Sequence, residues 1–410
     1  MVSLPLAESP TRARLARLAD WLVVAVAVSL PWSTSATSIL LVLWLIALIP
    51  TLDWLDVRRE LMTPAGGLPV LLFLLGLVGM AWADVSWLER WRGLDGFLKL
   101  LAFPLLMAHA RRSDIGLRVF LGFLAACIAL LIASWVVTIW PNLPRGSSDD
   151  GVIVKSYIAQ SAEFTLCAVG LIYVVFQRIN SHSLHALIFI GIACAFLGDI
   201  IFIATSRTAL VIIPVLLLLF AARQFGVKGF AVAIIGLIFI TTSVWLTSGH
   251  MRERVDEIFT ATEQHNILNV TPSEERLEFW KKSLGFVQDA PWFGHGTGSI
   301  TQMFRKSAFG QKGVAGEIST NPHNQTFAVA IQLGIFGALT LWTMWACHVL
   351  LFRGGGFEAW VGLAVVVQNI IGSLFNSFLF DFTEGWLYVI GAGVAAGMVR
   401  RLRNGVTDQS

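Results

Sequence analysis

The chain has 410 residues, 56 % of them hydrophobic and only 13 % charged, with a formal net charge of +3. A soluble globular domain carries roughly 25 % charged residues, so this composition, with a mean hydropathy of +0.73, excludes that class. The small positive excess carries no signature of nucleic-acid binding.

Apolar stretches recur along the chain, divided by short polar turns, and place it in the polytopic membrane class. The stretches are continuously apolar and do not alternate, so they are expected as helices and not as barrel strands. The predicted fold class is an all-α polytopic membrane protein with about twelve spans, at 19–31, 36–50, 66–83, 93–109, 115–140, 157–177, 183–204, 208–222, 228–246, 323–352, 357–376 and 384–399. The domain organisation follows: residues 1–246 hold spans one to nine, 247–322 form one large polar loop, 323–399 hold spans ten to twelve, and 400–410 form a tail. Arg12, Arg14 and Arg17 before the first apolar run imitate a signal peptide. With so many spans behind it, that run reads as an uncleaved first helix.

If the N-terminus is cytoplasmic, fifteen Lys and Arg collect on its side. Six (Arg90, Arg92, Lys99, Arg145, Lys155 and Arg207) fall on the other. Positive charge marks the cytoplasmic side, so both termini are expected there and the 247–322 loop on the far side, the periplasm in a bacterium. Trp82, Trp87 and Trp91 suit the interfacial aromatic belt. Ser147–Gly151 reads as a turn rather than a cation site. The four cysteines lie in apolar spans without metal-ligand spacing and read as small core residues.

Arg207 stands in Thr205-Ser206-Arg207-Thr208, where one span ends and the next begins almost at once. An ionisable group at that depth is costly and marks a functional candidate; snorkelling to lipid phosphates, or pairing with Asp199, is the alternative. Within the loop, Thr271-Pro272-Ser273-Glu274 forms a capping box with Pro at the first helical position. The helix it starts is expected to run to about Gln288, with Leu277, Trp280, Leu284 and Val287 on one face and Arg276 beside it. A second amphipathic helix is expected over Met251–Thr262, and both suit a membrane surface.

Gly294-His295-Gly296-Thr297-Gly298 precedes a helix expected near Ser299. Glycines there could let backbone amides approach an anion, although by itself a plain turn is the better explanation, and no P-loop Lys-Ser or Lys-Thr follows. His323 follows Pro322 at the border of the tenth span. Its near-neutral pKa suits a general base that activates a hydroxyl; a capping or interfacial histidine is the alternative.

Taken in order, Ser206-Arg207, Arg276 with Trp280, Pro291 to Gly298, His323-Asn324 and Gln332-Leu333-Gly334-Ile335-Phe336-Gly337 resemble the O-antigen ligase superfamily of bacterial inner-membrane glycosyltransferases over about 204–339. The resemblance implies a GT-C-type membrane fold and a metal-independent, inverting transfer without a cofactor. The glycan would move from undecaprenyl diphosphate to a sugar hydroxyl of lipid A–core, in contact with membrane lipids. By position, His323 would be the base, and Arg207 and Arg276 would bind the diphosphate, with Gly296, Gly298 and Asn324 as further substrate-binding candidates. The same superfamily includes O-antigen polymerases and protein O-oligosaccharyltransferases, which differ in acceptor. A lipid or solute transporter is the reading from another class, kept alive by Gln368, Asn369 and Asn376 in or near spans.

Overall fold

The computed structural model describes residues 10–147, 149, 151–178, 184–247 and 272–407, and every regular element among them is helical. The helices are α1 (Pro10–Ser29), α2 (Thr34–Leu48), α3 (Trp54–Leu61), α4 (Pro64–Gly79), α5 (Trp87–Leu98), α6 (Ala102–Arg112), α7 (Ile115–Ile139), α8 (Tyr157–Arg178), α9 (Leu184–Phe202) and α10 (Arg207–Thr247). Within the 247–322 loop come α11 (Pro272–Asp289) and α12 (Ile300–Ala308), and after it α13 (Gln325–Leu351), α14 (Phe357–Phe375) and α15 (Phe382–Thr407). The expected Met251–Thr262 helix, and Thr271 of the expected capping box, lie outside the described residues.

Each of the twelve apolar segments is helical, but their borders differ from a simple list of rods. Eight helices are long and apolar enough to cross a membrane among the described residues, and the bent pair α3–α4, at 84°, makes a ninth. Segments eight and nine are one element, α10, interrupted at Gly226, whose φ of 66° and ψ of −155° no helix accommodates. Segment four is longer than its apolar centre because α5 and α6 run on through a short 3-10 turn at Lys99–Leu101. The chain is a polytopic membrane protein. Large apolar side chains such as Ile235 (69 % exposed) and Phe239 (72 %) face outward, where lipid covers them.

Short α14 occupies the centre and packs on α8, α10, α13 and α15. Trp360 is fully buried there and donates from Nε1 to Val169 O of α8 at 3.1 Å. Gln368 donates to Ala162 O at 3.0 Å, the helix–helix bond that satisfies a buried amide in an apolar interior. Contacts sort the connections onto two faces. On one, Glu60 is fully buried between the guanidiniums of Arg111 and Arg400, each 3.1 Å away. On the other lie the ends of α4, α9 and α14, the starts of α5, α8, α10, α13 and α15, and both loop helices.

In α11 an aromatic side is turned to the interior. Phe279, Ser283 and Phe286 are buried, and the two phenylalanines pack on Phe304, Ala328 and Ile331. Leu277 and Leu284 are 54 % and 51 % exposed. The helix is apolar on two sides, and the aromatic one wins the interior because it removes more apolar area from water.

Candidate active site

Two helix N-termini and two arginines meet at one cavity. Ser206 caps α10, its Oγ accepting from Ala209 N at 3.5 Å, which fixes Arg207 at the first helical position. The junction is tied to α8 because Ser161 Oγ donates to Ala204 O at 2.8 Å. A cation at a helix N-terminus works against the helix dipole, so Arg207 does not serve the stability of α10. Tyr157 and Ile158, the first residues of α8, face the same space. A polar cavity of about 80 Å³ is lined by these residues, Thr205 to Thr208, Leu210 and Arg276. A larger one of about 370 Å³ adjoins it, lined by Arg207, Thr208, Val211, Arg276, Leu277, Trp280 and Phe375.

Arg207 and Arg276 thus line both spaces, although they stand 69 positions apart, one opening α10 and the other on α11. Burial holds the Arg276 guanidinium below its ordinary pKa, and the charge of Arg207 adds to that, while Tyr157 and Glu275 oppose it. Guanidiniums and free helix N-terminal amides all favour an anion.

His323 lines neither cavity but is mounted against their wall. It lies one residue before Asn324, which caps α13, and it takes a left-handed conformation with φ of 53°. Its backbone N–H donates to Asn321 Oδ1 at 2.8 Å, and its carbonyl accepts from Trp280 Nε1 at 3.3 Å. The ring stacks on Phe279 at 6.0 Å and 11°. Nδ1 is 3.1 Å from Asn376 Oδ1. Burial pushes the imidazole pKa below its usual value and the nearby Arg276 charge pushes it further, with the Asn376 bond working the other way. The ring is therefore neutral at pH 7, as a base must be.

The glycine run has a packing task instead of an anion to cradle. Helix α13 breaks at Gly334, where φ is 62° and ψ is −157°. The carbonyls freed by the break accept from the run: His295 N donates to Ile331 O at 2.8 Å and Gly296 N to Gln332 O at 2.9 Å. Gly298 N donates to Gln332 Oε1 at 2.8 Å, Thr297 N to Gly79 O at 3.0 Å, and Ile335 N to Pro291 O at 2.8 Å. The backbone amides of Gly296 and Gly298, expected near substrate, are thereby engaged within the protein. A Cβ at Gly296 would enter Ala83, and one at Gly298 the carbonyl of Glu89. Asn324 is occupied as well: Oδ1 accepts from Phe327 N at 3.1 Å and Nδ2 donates to Leu374 O at 3.1 Å. Its place is that of a helix cap.

Sequence reasoning passed over Asn376, Asn321, Asp381, Phe279 and Tyr157 as parts of the site. Asn321 was visible in Asn321-Pro322-His323-Asn324, and Asn376 only as a polar residue ending an apolar span. Asn376 Nδ2 donates to Asp381 Oδ2 at 3.0 Å. Burial and the neighbouring Glu384 push the Asp381 carboxyl up to about 7 against the opposing charge of Lys99.

Among the described residues no group of three or more His, Cys, Asp or Glu could hold a metal ion. No curated protein matches the chain. The family described as O-antigen ligase matches residues 190–342, the stretch that carries Arg207, Arg276 and His323. That match supports membership of the O-antigen ligase superfamily, whose members are enzymes of glycosyl transfer.

Proposed function

We propose that the chain is a bacterial inner-membrane O-antigen ligase that moves a glycan from undecaprenyl diphosphate to a sugar hydroxyl of lipid A–core. The observation that carries the reading is the shared cavity of Arg207 and Arg276, with His323 mounted at its wall through Trp280 and Asn376. Both termini are cytoplasmic, and the 247–322 loop lies in the periplasm as a lid over the diphosphate. The acceptor hydroxyl oxygen attacks the anomeric carbon while its proton passes to Nε2 of His323. The bond from that carbon to the diphosphate oxygen breaks, and its electron pair leaves with the diphosphate. Arg207 and Arg276 stabilise the negative charge growing on that oxygen. A single displacement inverts the anomeric carbon, and cationic side chains supply the charge stabilisation without a metal.

The test uses purified protein with lipid-linked glycan, offered separately lipid A–core, a second lipid-linked glycan and a pilin-type protein. Transfer to lipid A–core is expected, and its loss in His323→Ala with folding and insertion retained. Full transfer by His323→Ala would remove the histidine from the chemistry. Transfer only to the second glycan or to the protein would replace the ligase by a polymerase or a protein-glycosylating enzyme.

A further inference from the structure

A histidine base works only through its unprotonated ring nitrogen, so whatever fixes the tautomer decides whether it can act. Hydrogen-bond accounting around His323 fixes it from two ends. At the first end, the backbone N–H of His323 meets the Asn321 side chain at 2.8 Å, and Ser377 Oγ donates to the same atom at 2.7 Å. A backbone N–H requires an acceptor, so the atom is Oδ1 and Asn321 Nδ2 must point the other way. That Nδ2 lies 3.1 Å from Asn376, which must present an oxygen to it. At the second end, the other amide atom of Asn376 lies 3.0 Å from Asp381 Oδ2, which in the ionised form requires the nitrogen there. Both ends turn Asn376 Oδ1 toward His323 Nδ1, which therefore carries the proton.

The mount is itself braced. Asn376 is the C-cap of α14, its N–H donating to Gly372 O at 2.9 Å. The turn from Ser377 to Asp381 is pinned by Lys99 of the 3-10 turn that follows α5, whose Nζ donates to Phe380 O at 3.0 Å and Asp381 O at 2.8 Å. We propose that Asn376, oriented by Asp381 and Asn321, holds His323 as the Nδ1–H tautomer and so delivers Nε2 to the acceptor hydroxyl. Asn376 and Asp381 are positioning residues, and their role rests on the reading of His323 as the base.

The test joins a spectrum with kinetics. In folded protein carrying 15N-labelled histidine, the signals lost in His323→Ala identify its ring. The wild type is expected to show a protonated Nδ1 and an unprotonated Nε2. Asn376→Leu should abolish that preference and lower kcat about 10²-fold, the scale of a misplaced catalytic group, while the KM for lipid-linked glycan stays unchanged. Asn376→Asp, sharing one proton with Asp381 in place of the amide donor, keeps an oxygen toward Nδ1 and should restore both tautomer and rate. Should Asn376→Leu fail to fold, Asp381→Asn takes its place, since it removes one of the two fixed ends at nearly constant size and should weaken the tautomer preference and lower kcat. A wild-type ring protonated at Nε2, or an unaltered tautomer and kcat in these variants, overturns the proposal. The spectrum reads the resting protein, whereas His323→Ala reads the chemistry, so the positioning and the base assignment fail separately.

Discussion

Arg276 touches both halves of the proposed reaction, since it lines the anion cavity and its charge depresses the pKa of His323. The acid limb of kcat/KM reports the free enzyme's base, so it should lie below the ordinary histidine value of about 6.5. Removing the cation favours protonation. Arg276→Gln is therefore expected to move that limb to higher pH, on top of weaker use of the lipid-linked donor. A pH profile with an unmoved limb would uncouple the two residues. Arg207→Ala should raise the donor KM, and Arg207→Lys should rescue only part of it, because an ammonium lacks the guanidinium's two-pronged grip. Arg207, Arg276 and His323 were legible in the sequence because each is an ionisable side chain on or near an apolar border. Asn376 was not, because an amide ending an apolar span reads as a helix–helix contact until its partners 53 and 5 residues away are known.

At the scale of elements, the break in α13 and the glycine run are one device. The run supplies the donors that Ile331 and Gln332 lose when the helix stops at Gly334. A lone glycine inside an apolar stretch reads as a tolerated helical residue, so the break was hidden; its partner segment lies some forty residues upstream. The conformation at Gly334 is essentially open to glycine alone and costs other residues about 1–3 kcal/mol, and a Cβ there would strike the Trp292 carbonyl. Gly334→Ala should lower thermal stability in detergent by at least that amount. Gly191→Ala, with open space around it, should be neutral. Equal melting of the two variants would deny the break its structural role. The spans themselves were legible because apolar length is a strong signal. The buried side of α11 was not, since both sides of that helix are apolar and only the partner decides.

For the whole molecule, the contacts divide the connections between two faces, and the proposed orientation gives each a compartment. Met62, between α3 and α4, and Phe309, after α12, are 77 % and 91 % exposed on opposite faces. In a background lacking the four native cysteines, Phe309→Cys should react in intact cells with a thiol reagent that does not cross the inner membrane. Met62→Cys should react only after the membrane is opened. The reverse pattern would invert the topology and place the arginine cavity in the cytoplasm. At this scale one adjacency gains meaning. Phe375 forms part of the cavity wall, and Asn376, the next residue, holds the histidine ring. Consecutive Cα atoms are about 3.8 Å apart whatever the surrounding helices do. The proposed anion cavity and the contact to the proposed base are thus joined through one peptide bond of α14's C-terminus.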